Sequence, residues 1–349
     1  MTVLLTESFN FYNGVGTTVG LQAGGWQSLN WFYNPQMASG RFGGQGLQNG
    51  GGEGCVSGLT VPALSGPGYG VCNAIVIANL TSVNNTNTGG LIGIAGASIT
   101  TEQFTWRPRP DGSICVYRAG TLLYQTAAGI LKNNVFHYVE CYGTLSTTVG
   151  TVNIKVDGVQ VVSLTGVNNC ASGATSFSGM NFGGGMFGSS GGFPGYNVTI
   201  DDLYMTDGNT YGEVKMETPS LTGDTATKMF VPDTGTVNYS RVNAAQAQSS
   251  TFVQGSNVGD TDLYTIGALV SVPAQIPAVR IVTFGQKTDA AARQIAHVAD
   301  VSGVQTVGPN VIMPATEAQQ STIMLTKPGG GAWTGTDIAA LKIGMKVTV

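Results

Sequence analysis

The chain has 349 residues, long enough for two hydrophobic cores, and its 15 Lys and Arg against 19 Asp and Glu leave a net charge of -4. Charged residues are only 10% and Gly numbers 52, where an average domain has about 25% charged residues and ~7% Gly. Neutral polar side chains must therefore keep the surface wet, a composition suited to short strands and tight turns, and singly scattered cations give a phosphate backbone no stripe to bind, so nucleic acid is not an expected partner.

In chain order, MTVLLTESFNFY has no basic leader and only a short apolar run. Neither a signal peptide nor membrane insertion is expected. GWQSLNWFYNP then crowds Trp26, Trp31, Phe32 and Tyr33 together, more aromatic surface than a solvated loop needs. Core anchoring is the first reading, and contact with another chain through Trp26, Trp31 and Tyr33 the second. NAIVIANL and LIGIAG read as strands. In FTWRPRPDGSICVYRAGTLLYQTA, Asp111-Gly112 and Ala119-Gly120 separate β-branched and aromatic runs, which predicts an antiparallel meander. VFHYVECYGTL adds a strand, and in TVNIKVDGVQVVSL the alternation of Val152, Ile154 and Val156 ahead of Asp157-Gly158 predicts a two-residue hairpin.

The tract GGGMFGSSGGFPG carries Met186, Phe187 and Phe193 on a glycine-rich loop. Exposed, they would stack on sugar rings or dock on a partner; folded back, they would plug the core rim. The following strand, YNVTIDDLYM, holds Asp201 and Asp202, and with Asp207 and Asn209 these could ligate calcium. Adjacent strand residues face opposite sides, so both aspartates enter one cage only if the strand bulges. A structural role is favoured, with no cofactor expected.

The pattern changes after TDGNTYG. We place a domain boundary between 208 and 209, ahead of a Thr, Asp and Asn-rich passage and a second group of runs at DLYTIGALVSV, AVRIVTFGQKT, RQIAHVADV, STIMLT and LKIGMKVTV. The tail AWTGTDIAALKIGMKVTV predicts one helical turn capped by Thr334 or Thr336 and a closing strand.

Five cysteines show no C-x-x-C spacing, which argues against zinc. Cys72, Cys115 and Cys141 fall in strands, while Cys55 and Cys170 fall in loops and are the pair available for a disulfide. No E-x-D-x-E run supplies a glycosidase carboxylate pair. Glu213 and Glu217, four apart in a period-2 segment, would lie roughly 13 Å apart. His137 and His297 have no nucleophile elbow nearby. These absences point away from an enzyme.

With YVE at 138 to 140, NIKVDGVQVVSLTG and IDDLYMTDG, residues 1-208 resemble the concanavalin A-like (laminin G-like) sandwich modules of tailed-bacteriophage virion proteins. YGEVKMETPSLTGDT, NYSRVNA, VGDTDLYTIGAL and WTGTDIAALKIGMKV resemble the domain that accompanies this module. The expected fold is therefore all-β, a concanavalin A-like jelly roll over 1-208 followed by a smaller β-sandwich-like domain over 209-349. The resemblance implies a non-enzymatic virion component of tail, fibre or capsid decoration. It would assemble in the bacterial cytoplasm and pack against other virion proteins and copies of itself, as a trimer or ring. The alternative is an adhesin that recognises host-surface polysaccharide through its aromatic loops.

Overall fold

In a computed structural model of the chain, the structure describes residues 1-12, 21-22, 24, 26-31, 36-49, 55-60, 68-82, 92-95, 102-118, 120-171, 173, 176-177, 179-183, 197-243, 250-271 and 273-349. The chain divides into two compact units, Met1–Phe9 with Thr17–Met216, and Asn10–Gly16 with Glu217–Val349. The division falls between Met216 and Glu217, a few residues past the change of pattern near 209. The physical reason is that Tyr211, Val214 and Met216 pack on a buried cluster of Cys72, Ala74, Tyr138 and Tyr204, and so belong to the first unit.

The first unit is an antiparallel jelly-roll sandwich. One sheet has eight strands: β1 (Val3–Glu7), β3 (Gln36–Ser39), β4 (Gln45–Asn49), β6 (Gly68–Ala78), β11 (Phe136–Thr144), β12 (Gly150–Val156), β13 (Val159–Val167) and β15 (Asn197–Thr206), ordered β13-β12-β11-β6-β15-β4-β3 with β1 also on β15. The facing sheet has seven: β2 (Trp26–Trp31), β5 (Cys55–Thr60), β7 (Ile92–Ala95), β8 (Glu102–Pro108), β9 (Ile114–Arg118), β10 (Thr121–Gln125) and β14 (Gly179–Gly183), ordered β10-β9-β8-β7-β14-β5-β2. Aromatic side chains fill the space between the sheets. Tyr69 of β6 meets Phe104 of β8 with ring centres 5.3 Å apart, and Trp26 lies between Phe9 at 5.7 Å and Phe182 at 5.8 Å. The predicted hairpin is present as β12 and β13. Asp157 and Gly158 at its tip have φ of +50° and +78°, the left-handed pair that a right-twisted two-residue turn requires.

The second unit is also β. Its five-stranded sheet runs β16 (Leu221–Lys228), β19 (Thr261–Ile266), β24 (Leu341–Val347), β21 (Gln294–Val301) and β22 (Val304–Ile312). The pairs β17 (Val231–Pro232) with β18 (Val253–Gln254), and β20 (Val279–Gly285) with β23 (Ala318–Met324), complete it, with short helices α1 (Tyr239–Val242) and α2 (Gly335–Ala339). Ile281 of β20 and Met324 of β23 share a core with Ala299, Trp333, Ile338 and Leu341, which makes this unit a small sandwich. The predicted helical turn is α2. Thr334 caps it by accepting from the Asp337 N–H while Asp337 accepts from the Thr334 N–H, a reciprocal capping box. Among the described residues, no helix is long and apolar enough to cross a membrane.

Candidate functional site

Alternation along β8 sends Phe104 and Trp106 into the sandwich and Gln103, Thr105 and Arg107 to the opposite face of the seven-stranded sheet. Register extends this polar row sideways. Thr105 pairs with Tyr117 and Arg107 with Cys115 on β9, and Gln125 of β10 pairs with Cys115 from the other flank. Although the row faces away from the sandwich interior, Gln103, Thr105 and Cys115 are fully buried and Arg107 is 6% exposed. Arg109 and Tyr117 are half-buried. At this end of the row opens a cavity of about 370 Å³, lined by Arg109, Pro110, Asp111 and Gln125. The part a ligand can reach is the cavity wall, where Arg109, Asp111 and Gln125 offer a few convergent polar groups.

Two guanidinium groups converge on one phenol. The Arg107 guanidinium carbon stands 4.0 Å from the centre of the Tyr117 ring and that of Arg109 stands 5.9 Å from it. Arg109 Nη2 donates to the Tyr117 hydroxyl oxygen, and Arg109 Nε donates to Cys115 Sγ at 3.2 Å. Arg107 Nε donates to Thr105 Oγ1 at 3.4 Å. Burial opposes the charge on Arg109, but its hydrogen bonds to Cys115 and Tyr117 outweigh that and raise the guanidinium above its ordinary value. On the cavity rim, the Ser113 N–H donates to Asp111 Oδ1 at 2.9 Å and holds this carboxyl below the usual carboxylate range. Gln125 Nε2 donates to Ser113 Oγ at 3.2 Å. The assembly can pair with an anion through fixed guanidinium forks, accept from sugar hydroxyls, and pass a proton through a phenol.

The residues singled out in the sequence lie elsewhere. Trp26 is taken up by the core at 2% exposure, in line with the first reading of its stretch and not with the second, a partner contact. Trp31 ends β2 with its side chain outside the described residues, as are Tyr33, Met186, Phe187 and Phe193. Asp201 and Asp202 do sit on a bulge. The pairing of β15 with β6 shifts register between Asp201 and Tyr204, and Asp202 has φ of +50°. There β15 changes partner, from β4 over 198-200 to β1 over 203-206. Both carboxylates hold backbone: Asp201 Oδ2 accepts from the Arg41 N–H at 2.8 Å and Asp202 Oδ1 from the Met216 N–H at 2.7 Å. Asp207 Oδ1 accepts from the Thr2 N–H at 2.6 Å, and Asn209 Oδ1 from the Thr210 N–H at 2.9 Å. Among the described residues, no three His, Cys, Asp or Glu side chains group as a metal site. Cys170 carries a free, buried thiol, while the Cys55 side chain on β5 lies outside the described residues.

The Arg107, Arg109, Tyr117 and Gln125 constellation escaped the sequence reading, which took its stretch as a meander and no more. A signal was available: Arg107, Arg109 and Arg118, three of the chain's 15 basic residues, fall within a single hairpin. The first two are spaced by two, the spacing that would place them on one face of a strand; in the structure Arg107 is on β8 and Arg109 lies just past its end.

No protein-family profile matches the chain, and no curated protein matches it in sequence. Solved structures do match. An alginate lyase from a Chlorella virus is 13% identical with a TM-score of 0.42, covering 59% of this chain and 100% of its own. An alginate lyase from Aplysia kurodai is 12% identical at 0.43, covering 59% and 100%, and an endo-β-1,4-glucuronan lyase from Trichoderma reesei is 11% identical at 0.38, covering 60% and 97%. These solved structures are polysaccharide lyases, where the sequence led to the expectation of a non-enzymatic virion component, and that expectation is not carried further. At such identities the likeness concerns the sandwich scaffold, and the chemistry of this chain has to be argued from its own side chains.

Proposed function

We propose that the chain acts on an acidic polysaccharide, held in the cavity at the Arg109 end of the seven-stranded sheet and cleaved by β-elimination beside a uronate carboxylate. The observation that carries this reading is the convergence of Arg107 and Arg109 on Tyr117, next to a cavity that Arg109 lines. In β-elimination the proton on C5 of the uronate leaves, the C4–O4 bond breaks with its electron pair going to oxygen, that oxygen takes up a proton, and a C4=C5 double bond remains. Arg109 pairs with the carboxylate and stabilises the charge that spreads into it as the C5 proton departs. Tyr117, whose oxygen already accepts from Arg109, passes its own O–H proton to the departing O4 while the same oxygen takes up the C5 proton, so the phenol ends the step as it began. Asp111 and Gln125 on the cavity wall take sugar hydroxyls. The finer setting, the virion of a tailed phage, rests on the sequence resemblance alone; a uronate-bearing host capsule is the substrate such a setting would offer.

Incubation with polymannuronate, polyguluronate, polyglucuronate and polygalacturonate tests the reading through the ultraviolet absorbance of unsaturated sugar ends. Tyr117→Phe is expected to lower kcat by about 10²-fold or more, in line with loss of a general acid-base group, while binding persists. Absence of unsaturated product from all four polymers would overturn the proposal.

A further inference from the structure

The cavity wall depends on one side chain held from below. Arg109 lies in the β8–β9 turn, where no strand ladder fixes its side chain, and a free arginine would sample many rotamers. Among the described residues, its guanidinium is instead held by two spaced by two on β9, Cys115 through Nε at 3.2 Å and Tyr117 through Nη2. Cys115 is fully buried, with Arg107 opposite it on β8 and Gln125 opposite it on β10, so it sits at the centre of the floor and cannot move to follow the arginine. The main chain of the turn is also fixed, the Arg109 N–H donating to Ser113 O at 2.9 Å and the Gly112 N–H to Arg109 O at 2.9 Å.

From this geometry we infer that Cys115 is a positioning residue for the site: its sulfur fixes the rotation of the Arg109 guanidinium, and so the direction from which an anionic sugar is met. The inference rests on the proposed function for its ligand, but the clamp itself is a property of the free protein. A sulfur acceptor suits the position. It is large enough to reach Nε from a strand Cβ, and weak enough to leave the guanidinium its full charge for an incoming carboxylate.

Two measurements on the full chain test it in Cys115→Ala and Cys115→Ser. The first is the ¹⁵Nε–¹Hε NMR signal of Arg109 without ligand, assigned by its loss in Arg109→Lys. The clamp predicts a protected, resolved Nε–H in wild type, an averaged and fast-exchanging one in the alanine variant, and partial recovery in the serine variant. The second is turnover of the polyuronate cleaved by wild type, for which KM should rise about tenfold in Cys115→Ala with kcat changed less, serine again restoring part. A melting temperature lowered in Cys115→Ala with an unaltered Arg109 Nε–H signal and unaltered KM would reduce Cys115 to a packing residue and overturn the inference. If wild type cleaves no polyuronate, the proposed function falls, and the NMR signal still decides the clamp by itself.

Discussion

His297 is fully buried on β21, with Nδ1 2.8 Å from Thr322 Oγ1 and Nε2 3.1 Å from Thr283 Oγ1, so both ring nitrogens are satisfied by the β20–β23 pair that covers its sheet. Burial, and then the nearby Arg280 charge, lower its pKa from 6.5 to about 4. A base depressed in this way folds neutral and ionises more readily once unfolded. Its contribution is therefore complete above about pH 6.5 and is lost as pH falls through 4, a loss of about 3 kcal/mol. Urea unfolding at pH 7 and pH 4 should show that fall in wild type and a smaller one in His297→Gln. Cys170 makes a second prediction at this scale. Its position in a loop suggested an accessible thiol, but it is 4% exposed and burial raises its pKa. Native alkylation at pH 7 followed by peptide mapping should leave Cys170 unmodified while the unfolded chain reacts fully. Neither outcome was legible in the sequence, because the same residue types in the same local pattern serve exposed and enclosed positions alike.

Among the elements, β24 depends on one glycine. A Cβ at Gly344 would stand 1.8 Å from the Asp262 carbonyl oxygen on β19, a contact that only backbone separation could relieve. β24 pairs with both β19 and β21, so the displacement would spread to two ladders. Gly344→Ala is expected to cost about 3 kcal/mol or more, as overpacking of a tight interior does, and differential scanning calorimetry would show it as a lowered transition. The capping box at Thr334 was readable, since Thr and Asp three residues apart ahead of an apolar pair specify it locally. β22 was not: its Gly308-Pro309-Asn310 reads as a turn, yet the strand runs through it at the sheet edge, where a missing N–H costs no ladder bond. The Asp201-Asp202 bulge was anticipated only as a condition. What calls for it is the change of neighbour from β4 to β1, which no local pattern records.

At the level of the whole molecule, low charge, abundant glycine and repeated period-2 runs already specified antiparallel layers, and both units are built that way. Their division at Met216 came later than the shift in composition because the segment after β15 still buries apolar side chains against the first unit. The functional reading moved further. The loop residues Tyr33, Met186, Phe187 and Phe193 lie outside the described residues, and the proposed function rests instead on a cationic cluster that alternation and register assemble from three strands. Period, turn chemistry and capping act between residues close in the chain, so the sequence by itself determined most of the strands, the 157-158 turn and the helical turn of α2. Which face of β8 meets the interior, and that Cys115 and Tyr117 hold an arginine that lines a cavity with Gln125, is a matter of pairing between segments, and only the tertiary structure decided it.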